Sequence, residues 1–455
     1  MTAPIPRMKS MLRCNDGAVP VTLPHPMPQP LTDFRWRLAP VLLACLSMHM
    51  GLHAETLAQA MDQAVQVDGQ LQASEHQVSA AQAALAAAQG QALPSFAVDG
   101  LYNHWSEAPA VQATVPMLGT LQMPVMEVNG GVYRAGVSVP LYTSGALSSN
   151  AQAAEATVGA ARSASERTRQ DLRLQVAEAY INVLRARSLL DLAESGVQTL
   201  ASHLADVKAY LDKGLVARGD LLAAQAASDN ARQDRIRAQT AVQIAESAYN
   251  RLLGRQLTQP VVIDEITVSP ADLATLDTGR TRAEVTALIR QTEALRAQSD
   301  AARAQGGPQV LLSAGFNQMD NRYLAKEGLW NVAVGLHWSL FDGGVYRSQA
   351  DALAAKADAV AAQRADAETQ IALQQRADRL RVDEAAARID AAQSAVAQAD
   401  ENLRVARDRY QSGVGTNTEV LDAETLRLKS HNNLSTARHD HALAVQRLKR
   451  DYDVL

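Results

Sequence analysis

Two stretches of this chain carry the same punctuation 199 residues apart. LYTSGALSSNAQAA, containing Gly145, recurs as LFDGGVYRSQADAL, containing Gly344; KGLVARGDLLAAQ, containing Gly214, recurs as SGVGTNTEVLDAE, containing Gly413. In each copy 69 residues separate the two glycines. Equal spacing between two breaks means helices of equal length, which is the mark of an internal structural duplication.

Between the breaks, apolar residues recur alternately four and three apart. The first copy runs Leu172, Val176, Ala179, Val183, Ala186, Leu190 and on to Leu211 without interruption. The second runs from Ile371 to Tyr410, and only Gln375 and Asp378 break the pattern. A period of 3.5 is that of left-handed coiled-coil packing, and alanine at alternate layers lets helix axes approach closely. A helix of about 67 residues would run roughly 100 Å, longer than an ordinary globular domain. Gly214 and Gly413 then read as helix stops, because the position after a helix end tolerates positive φ best in glycine. Helix resumes within a few residues, and Thr416-Asn417-Thr418-Glu419 fits a capping box. The stretches 212–220 and 411–419 are therefore expected to be the turns of two antiparallel helical hairpins.

Aromatic residues are only 4% of the chain, as thin alanine seams allow. Outside the first 54 residues, the Phe and Trp rings fall in two windows whose period is two rather than 3.5. Val332, Val334, Leu336, Trp338 and Leu340 alternate with Asn331, Ala333, Gly335, His337 and Ser339. Four strands are expected, at about 95–103, 131–141, 309–317 and 330–340. Their length and alternation fit a membrane barrel strand, and a soluble sheet can share both. Four strands cannot close a barrel, and an open sheet in lipid would leave backbone groups unpaired. If the strands enter a membrane, several chains must share one barrel. His337, on the polar face, reads as barrel-lining or structural rather than as a ligand.

Residues 1–54 read as a leader. Arg35-Trp36-Arg37 precedes an apolar run from Leu38 to Leu52, the layout of a secretory signal cut before Glu55. A lipobox at Leu42-Leu43-Ala44-Cys45, with Cys45 acylated, is the alternative. Met27 offers a second start. Both cysteines, Cys14 and Cys45, lie here, so the remainder has no disulfide and no thiolate metal site. The leader carries five basic and two acidic residues, so the net charge of −5 becomes −8 without it. That balance does not suggest nucleic-acid binding. No apolar run after the leader is long enough for a membrane-spanning helix. No HExxH, GxSxG or Walker loop appears, so no enzyme chemistry, cofactor or metal site is assigned.

Taken in order, these motifs resemble the TolC family of outer-membrane efflux and secretion proteins. The resemblance spans about Glu55 to Leu455. It is carried by ETLAQAMDQA, VSVPLYTSG, LHWSLFDGG, the two doubled turn stretches and YNRLLG at 249–254. It implies a mainly helical, internally duplicated fold with a small β part: a first repeat at 55–306 and a second at 307–455. Each protomer of a homotrimer would give four strands to a twelve-stranded α/β-barrel channel-tunnel. The barrel would meet outer-membrane lipid, and the helices would form a periplasmic tunnel nearly closed at its lower end. The region around 255–285 and the C-terminal tail would wrap the tunnel's midpoint. Such ducts are passive. They dock a periplasmic adaptor and an RND, ABC or MFS pump of the inner membrane, in efflux or type I secretion.

The resemblance also implies roles for the turns. Asp220 and Tyr410 sit where the family places a hydrogen-bonded pair linking the hairpins at the closed tip. Glu419 and Asp422 sit where it places inward acidic rings that set cation selectivity. Gly214, Leu215, Gly413 and Val414 would be the tips that meet the adaptor. The family's best-known member has an arginine where this chain has Gly415, and Arg218 on the other turn is the candidate to supply that charge. Plainer readings stand beside these. Asp220, Glu419 and Asp422 also suit the first turn of a helix, where the dipole favours acids, and Tyr410 continues the apolar seam. The long connection 104–130 holds Met117, Met123 and Met126 near His104; thioethers can bind soft metal ions, but they also serve as packing residues. The rival to a channel is a periplasmic coiled-coil adaptor or scaffold, which would account for the helices but not for four amphipathic strands.

Overall fold

The computed structural model describes residues 54–116, 119–268 and 281–455. The leader readings, including those on Cys14 and Cys45, and Met117 lie outside these residues. Two short helices, α1 (Leu57–Val67) and α2 (Gly69–Gly90), lead to strand β1 (Ser95–His104). A hairpin of β2 (Ala110–Val115) and β3 (Gly119–Pro124) precedes β4 (Asn129–Tyr142). Then come α3 (Ala146–Asp212) and α4 (Arg218–Leu252). The second half has α5 (Ala283–Gln305), β5 (Gln309–Met319), β6 (Gly328–His337), α6 (Val345–Gln411) and α7 (Asn417–Asp451).

The duplication holds to the residue. Helices α3 and α6 are both 67 residues long, and α4 and α7 are both 35. Helix α3 packs against α2, α4, α5 and α7, and helix α6 against α5 and α7. Alanine seams make these packings narrow. The larger buried side chains collect in three places: the tips, and two clusters partway along the helices. No described helix is long and apolar enough to cross a membrane.

Strands β1, β4, β5 and β6 form one antiparallel sheet in the order β1-β4-β5-β6. The register puts Phe96 opposite Val137, Val137 opposite Ala314 and Ala314 opposite Val332, while Phe316 faces Trp330. One face is therefore largely apolar, with Gln318 on it. The other carries Ser138, Ser313 and Ala333 in one row and Gly136, Gly315 and Gly335 in others. His337 pairs with Gln309 on this small, polar face. Among the described residues nothing covers the apolar face: Trp330 is 79% exposed and Phe96 70%. A soluble protein would not leave such a face in water, but hydrocarbon would cover it. Among the described residues strands β1 and β6 each have only one partner, so both sheet edges stand open.

Two expectations need correction here. The strand expected to reach residue 340 ends at His337, opposite Gln309. The residue before Gln309 is Pro308, which has no N–H to extend the ladder. The connection 104–130, read as a loop, contains the β2–β3 hairpin, in which Val111 faces Met123 and Ala113 faces Leu121.

Where the duplication breaks, the first described residues dock on the helices. Glu55 forms a bridge with Ile263, and its carboxylate accepts from Arg255 at 2.6 and 3.0 Å and from the Tyr249 hydroxyl at 2.8 Å. Burial, with that carboxylate beside it, pushes the Tyr249 hydroxyl up, so it stays a donor. In the other half the seam-breaking residues meet the end of α7. Gln375 donates to the Asp451 carbonyl at 3.1 Å, and Asp378 binds Arg381 and lies against Asp451. Burial, together with a hydrogen bond to Asp378 and the repulsion of its charge, pushes the Asp451 carboxyl up to about 7.

Folding therefore takes up a proton at Asp451 between its ordinary pKa of about 4 and about 7, so stability falls as pH rises through that window. Asp451→Asn should remove this dependence and unfold at a higher midpoint than the parent at pH 8. Thermal unfolding followed from pH 4 to 8 checks it; an unchanged slope in the variant would contradict the assignment.

Candidate functional site

Equal helix lengths bring both turns to the same end of the molecule. In the first, Gly214 has φ +69° and donates to the Leu211 carbonyl, while Leu215 N–H returns to Tyr210. In the second, Gly413 has φ +75° and donates to Tyr410, while Val414 N–H returns to Arg409. Such closure needs a left-handed residue, which is why glycine recurs at both stops. Leu215 and Val414 project from the turns and are about two-thirds exposed, 68% and 69%.

Above the turns the hairpins are cross-linked by a buried cluster. Val207, Ala224, Leu403, Val420 and Ala423 pack around Tyr410. The Tyr410 ring meets His203 edge-on at 5.2 Å and lies 5.7 Å from Tyr210. Its hydroxyl is buried and has no hydrogen-bond partner among the described residues. The Asp220 carboxylate is spent locally, accepting from its own helix-start residue, Ala217 N–H, at 3.2 Å. Asp220 still acts on Tyr410 through space: burial first, then the charge of Asp220, raises the phenol's pKa.

A direct bridge between the hairpins at this end is Asn417, a residue of the stretch that fits a capping box. Its carboxamide oxygen accepts from His203 Nε2 of α3 at 2.7 Å, and its Nδ2 donates to the Asp220 carbonyl of α4 at 3.3 Å. Asn417 is 3% exposed and His203 5%. Burial lowers the His203 pKa, so the ring is neutral at physiological pH and Nε2–H is the donor. The signal in the sequence is an amide at the first residue of a restarting helix, with a histidine on the facing seam. Neither has an apolar reason to be there.

The capping box is only half formed. Thr416 Oγ accepts from Glu419 N–H at 3.3 Å, but the Glu419 carboxylate faces Arg409 at 3.8 Å instead of returning to Thr416. Asp422 lies exposed one turn on, and among the described residues it has no ion pair. The unneutralised acid of this turn is thus Asp422. Arg218 is also exposed, without an ion pair among the described residues.

Gly415 has a steric reason to be glycine. A Cβ there would sit 2.9 Å from Tyr410 N and 3.0 Å from the Arg409 carbonyl carbon. An arginine at this position would need a different turn, and here Arg409 already occupies the space beside Val414, donating to its carbonyl at 3.4 Å.

Removing Asn417 should loosen the tip more than removing the Tyr410 hydroxyl. Asn417→Ala leaves a buried imidazole N–H and a carbonyl unpaired, at about 1–3 kcal/mol, while Tyr410→Phe deletes an unpartnered group and should be near neutral. Hydrogen exchange across 203–220 and 410–420 reads the difference; equal loss of protection in both variants would contradict the bridge.

The arrangement, two paired helical turns below an open apolar sheet, recurs in known proteins. The chain matches the outer membrane efflux protein family over residues 60–255 and 280–450. Outer membrane protein TolC of Vibrio cholerae is 26% identical over 423 residues, covering 87% of this chain and 90% of that protein. Protein CyaE of Bordetella pertussis is 27% identical over 355 residues, covering 71% and 69%. Among solved structures, the outer membrane protein VceC of Vibrio cholerae superposes with a TM-score of 0.76 at 20% identity, over 87% of this chain and 96% of that one. Both copies of the repeat are matched, and the chain belongs to the outer membrane efflux protein family.

Proposed function

We propose that three copies of the chain pool their sheets into one twelve-stranded barrel, with the helices reaching into the periplasm as a tunnel that the paired turns close. The observation that carries this is the open four-stranded sheet. Its strands, 10 to 14 residues long, can cross a bilayer core when tilted. Among the described residues its apolar face is bare, and its outer strands lack a second partner. Lipid would satisfy the face but not the edges, so neighbouring copies must supply strands.

The duct itself has no energy source in this reading. A periplasmic adaptor would grip the tips, where Leu215 and Val414 offer apolar side chains beside Gly214 and Gly413, and an inner-membrane RND, ABC or MFS pump would load the tunnel. The gate would be the packing of the two hairpins about Tyr410, with Asp220, Asn417 and His203 setting their separation and Arg218 contributing charge at the rim. Glu419 and Asp422 would form acidic rings facing the pore. The relatives include TolC and CyaE, and small-molecule efflux and type I protein secretion use the same duct. A signal sequence in residues 1–54 would deliver the chain across the inner membrane.

Fractionation tests the reading first: the full chain should sediment with outer membranes and migrate as a trimer. Recovery as a soluble periplasmic monomer would overturn it. Within the pore, Asp422→Asn should reduce cation preference more than Glu419→Gln, because Arg409 already offsets Glu419. Reversal potentials in a salt gradient check this, and the reverse order would remove Asp422 from the ring.

A further inference from the structure

The two copies of the repeat dock the ends of their shorter helices with different chemistry. In the first copy Val176 and Ala179 of α3 and Leu252 at the end of α4 belong to one apolar cluster. Shifted by 199, those positions hold Gln375, Asp378 and Asp451. Apolar packing therefore serves in one copy, while the other buries two acids in its place: Asp378 is 2% exposed and Asp451 1%. The two carboxyls are hydrogen-bonded to each other. Two buried carboxyls in contact cannot both carry their charge without a penalty, so one of them holds a proton.

The arginines around the pair are drawn to other acids. On α6, Arg381 pairs with Asp378. At the start of α5, Arg282 lies 3.6 Å from Asp451 but 2.9 Å from Glu284. On α7, Arg450 reaches Glu284 of α5 and Asp171 of α3, each at 2.7 Å, and Asp453 at 2.9 Å. Arg167 of α3 lies 3.5 Å from Asp171 and 3.7 Å from Glu284. Arg447, one turn back on α7 beside Lys449, pairs with Glu178 of α3 at 2.8 Å. Of the acids in this group Asp451 has the longest contact to an arginine. Its Oδ2 is also buried without a hydrogen-bond partner among the described residues. Asp451 is thus the acid that keeps the proton when the contact is closed.

We propose that the Asp378–Asp451 contact is a proton-dependent latch on the second hairpin. With the proton in place, the end of α7 is held against α6 and the start of α5. Without it the two charges repel, the end of α7 lifts, and the tip of the hairpin widens. The proposal rests on the pore reading. Helix α7 supplies the link, because its 35 residues put the latch at Asp451 and the bridge at Asn417 at opposite ends of a lever about 50 Å long. A rotation of about 5° at one end moves the other by roughly 4 Å. The Asp451 carboxyl titrates at about 7 when docked and near 4 when exposed. Undocking should therefore become about tenfold more favourable between about pH 6 and pH 8.

Two readouts on the purified full chain, each taken at about pH 6 and pH 8, test it. Amide exchange, corrected for its intrinsic pH dependence, should show protection across 371–385 and 445–453 falling about tenfold in the parent. Single-channel conductance should rise over the same interval. Asp378→Ala with Asp451→Leu, which imports the apolar pair of the first copy, should keep the low-pH protection and conductance at both values. Asp378→Asn, the milder substitution, removes the repulsion and should shrink both changes; changes as large as the parent's overturn the proposal. Protection in the parent that does not vary with pH overturns the latch. Protection that falls while conductance stays constant overturns its action on the tip. An equal rise in conductance in the parent and the double variant assigns the dependence to another titrating group and overturns the proposal as well. Folded protein that forms no channel at either pH overturns the pore reading, and the exchange then decides the latch by itself.

Discussion

Two helices of 67 residues, each started by a left-handed glycine and stopped by another, must end at the same height. That equality governs the rest. It sets the two turns side by side, so that an asparagine on one hairpin can reach a histidine and a carbonyl on the other. It also sets the two strand pairs at a common level, so that β4 and β5, distant in sequence, pair along their length with one shift between Pro140 and Tyr142. A single insertion in one copy would slip the tip by about 1.5 Å along the axis and rotate its side chains by roughly 100°, separating Asn417 from its partners.

The tip then works by packing and short polar links rather than by a dense charge lattice. Tyr410 contributes its ring, wedged against His203 and Tyr210. Charge sits at the rim: Asp422 is bare and Glu419 is shared with Arg409. Close approach at Gly415 leaves no room for a side chain there, and a buried amide ties the hairpins at this end. A neutral bridge of this kind resists salt, because buried hydrogen bonds are screened far less than exposed ion pairs.

Much of this was legible in the sequence. The 199-residue offset gave the helix lengths and both turns, because glycine at a helix stop is a strong and local signal. The alternation in 309–317 and 331–337 gave the apolar and the polar face of the sheet. What escaped was encoded by pairs of residues distant in sequence. Asn417 read as one residue of a capping-box stretch until His203 was opposite it. Gln375 and Asp378 looked like flaws in a seam until the end of α7 arrived beside them. The β2–β3 hairpin escaped for a different reason: its strands are six residues each, too short for alternation to stand out from a loop. The turn acids were ambiguous because capping and pore lining ask for the same residues, and only the partners of Glu419 and Asp422 separate the two acids.

The hairpins are proposed to form a pore narrowed at its tip and lined there by acids. Single-channel recording of the purified full chain in a planar bilayer, under a salt gradient, tests this most directly. Discrete steps of small, cation-preferring conductance are expected, the signature of a nearly closed acidic constriction. Failure of folded protein to insert, or steps that prefer anions, would contradict it.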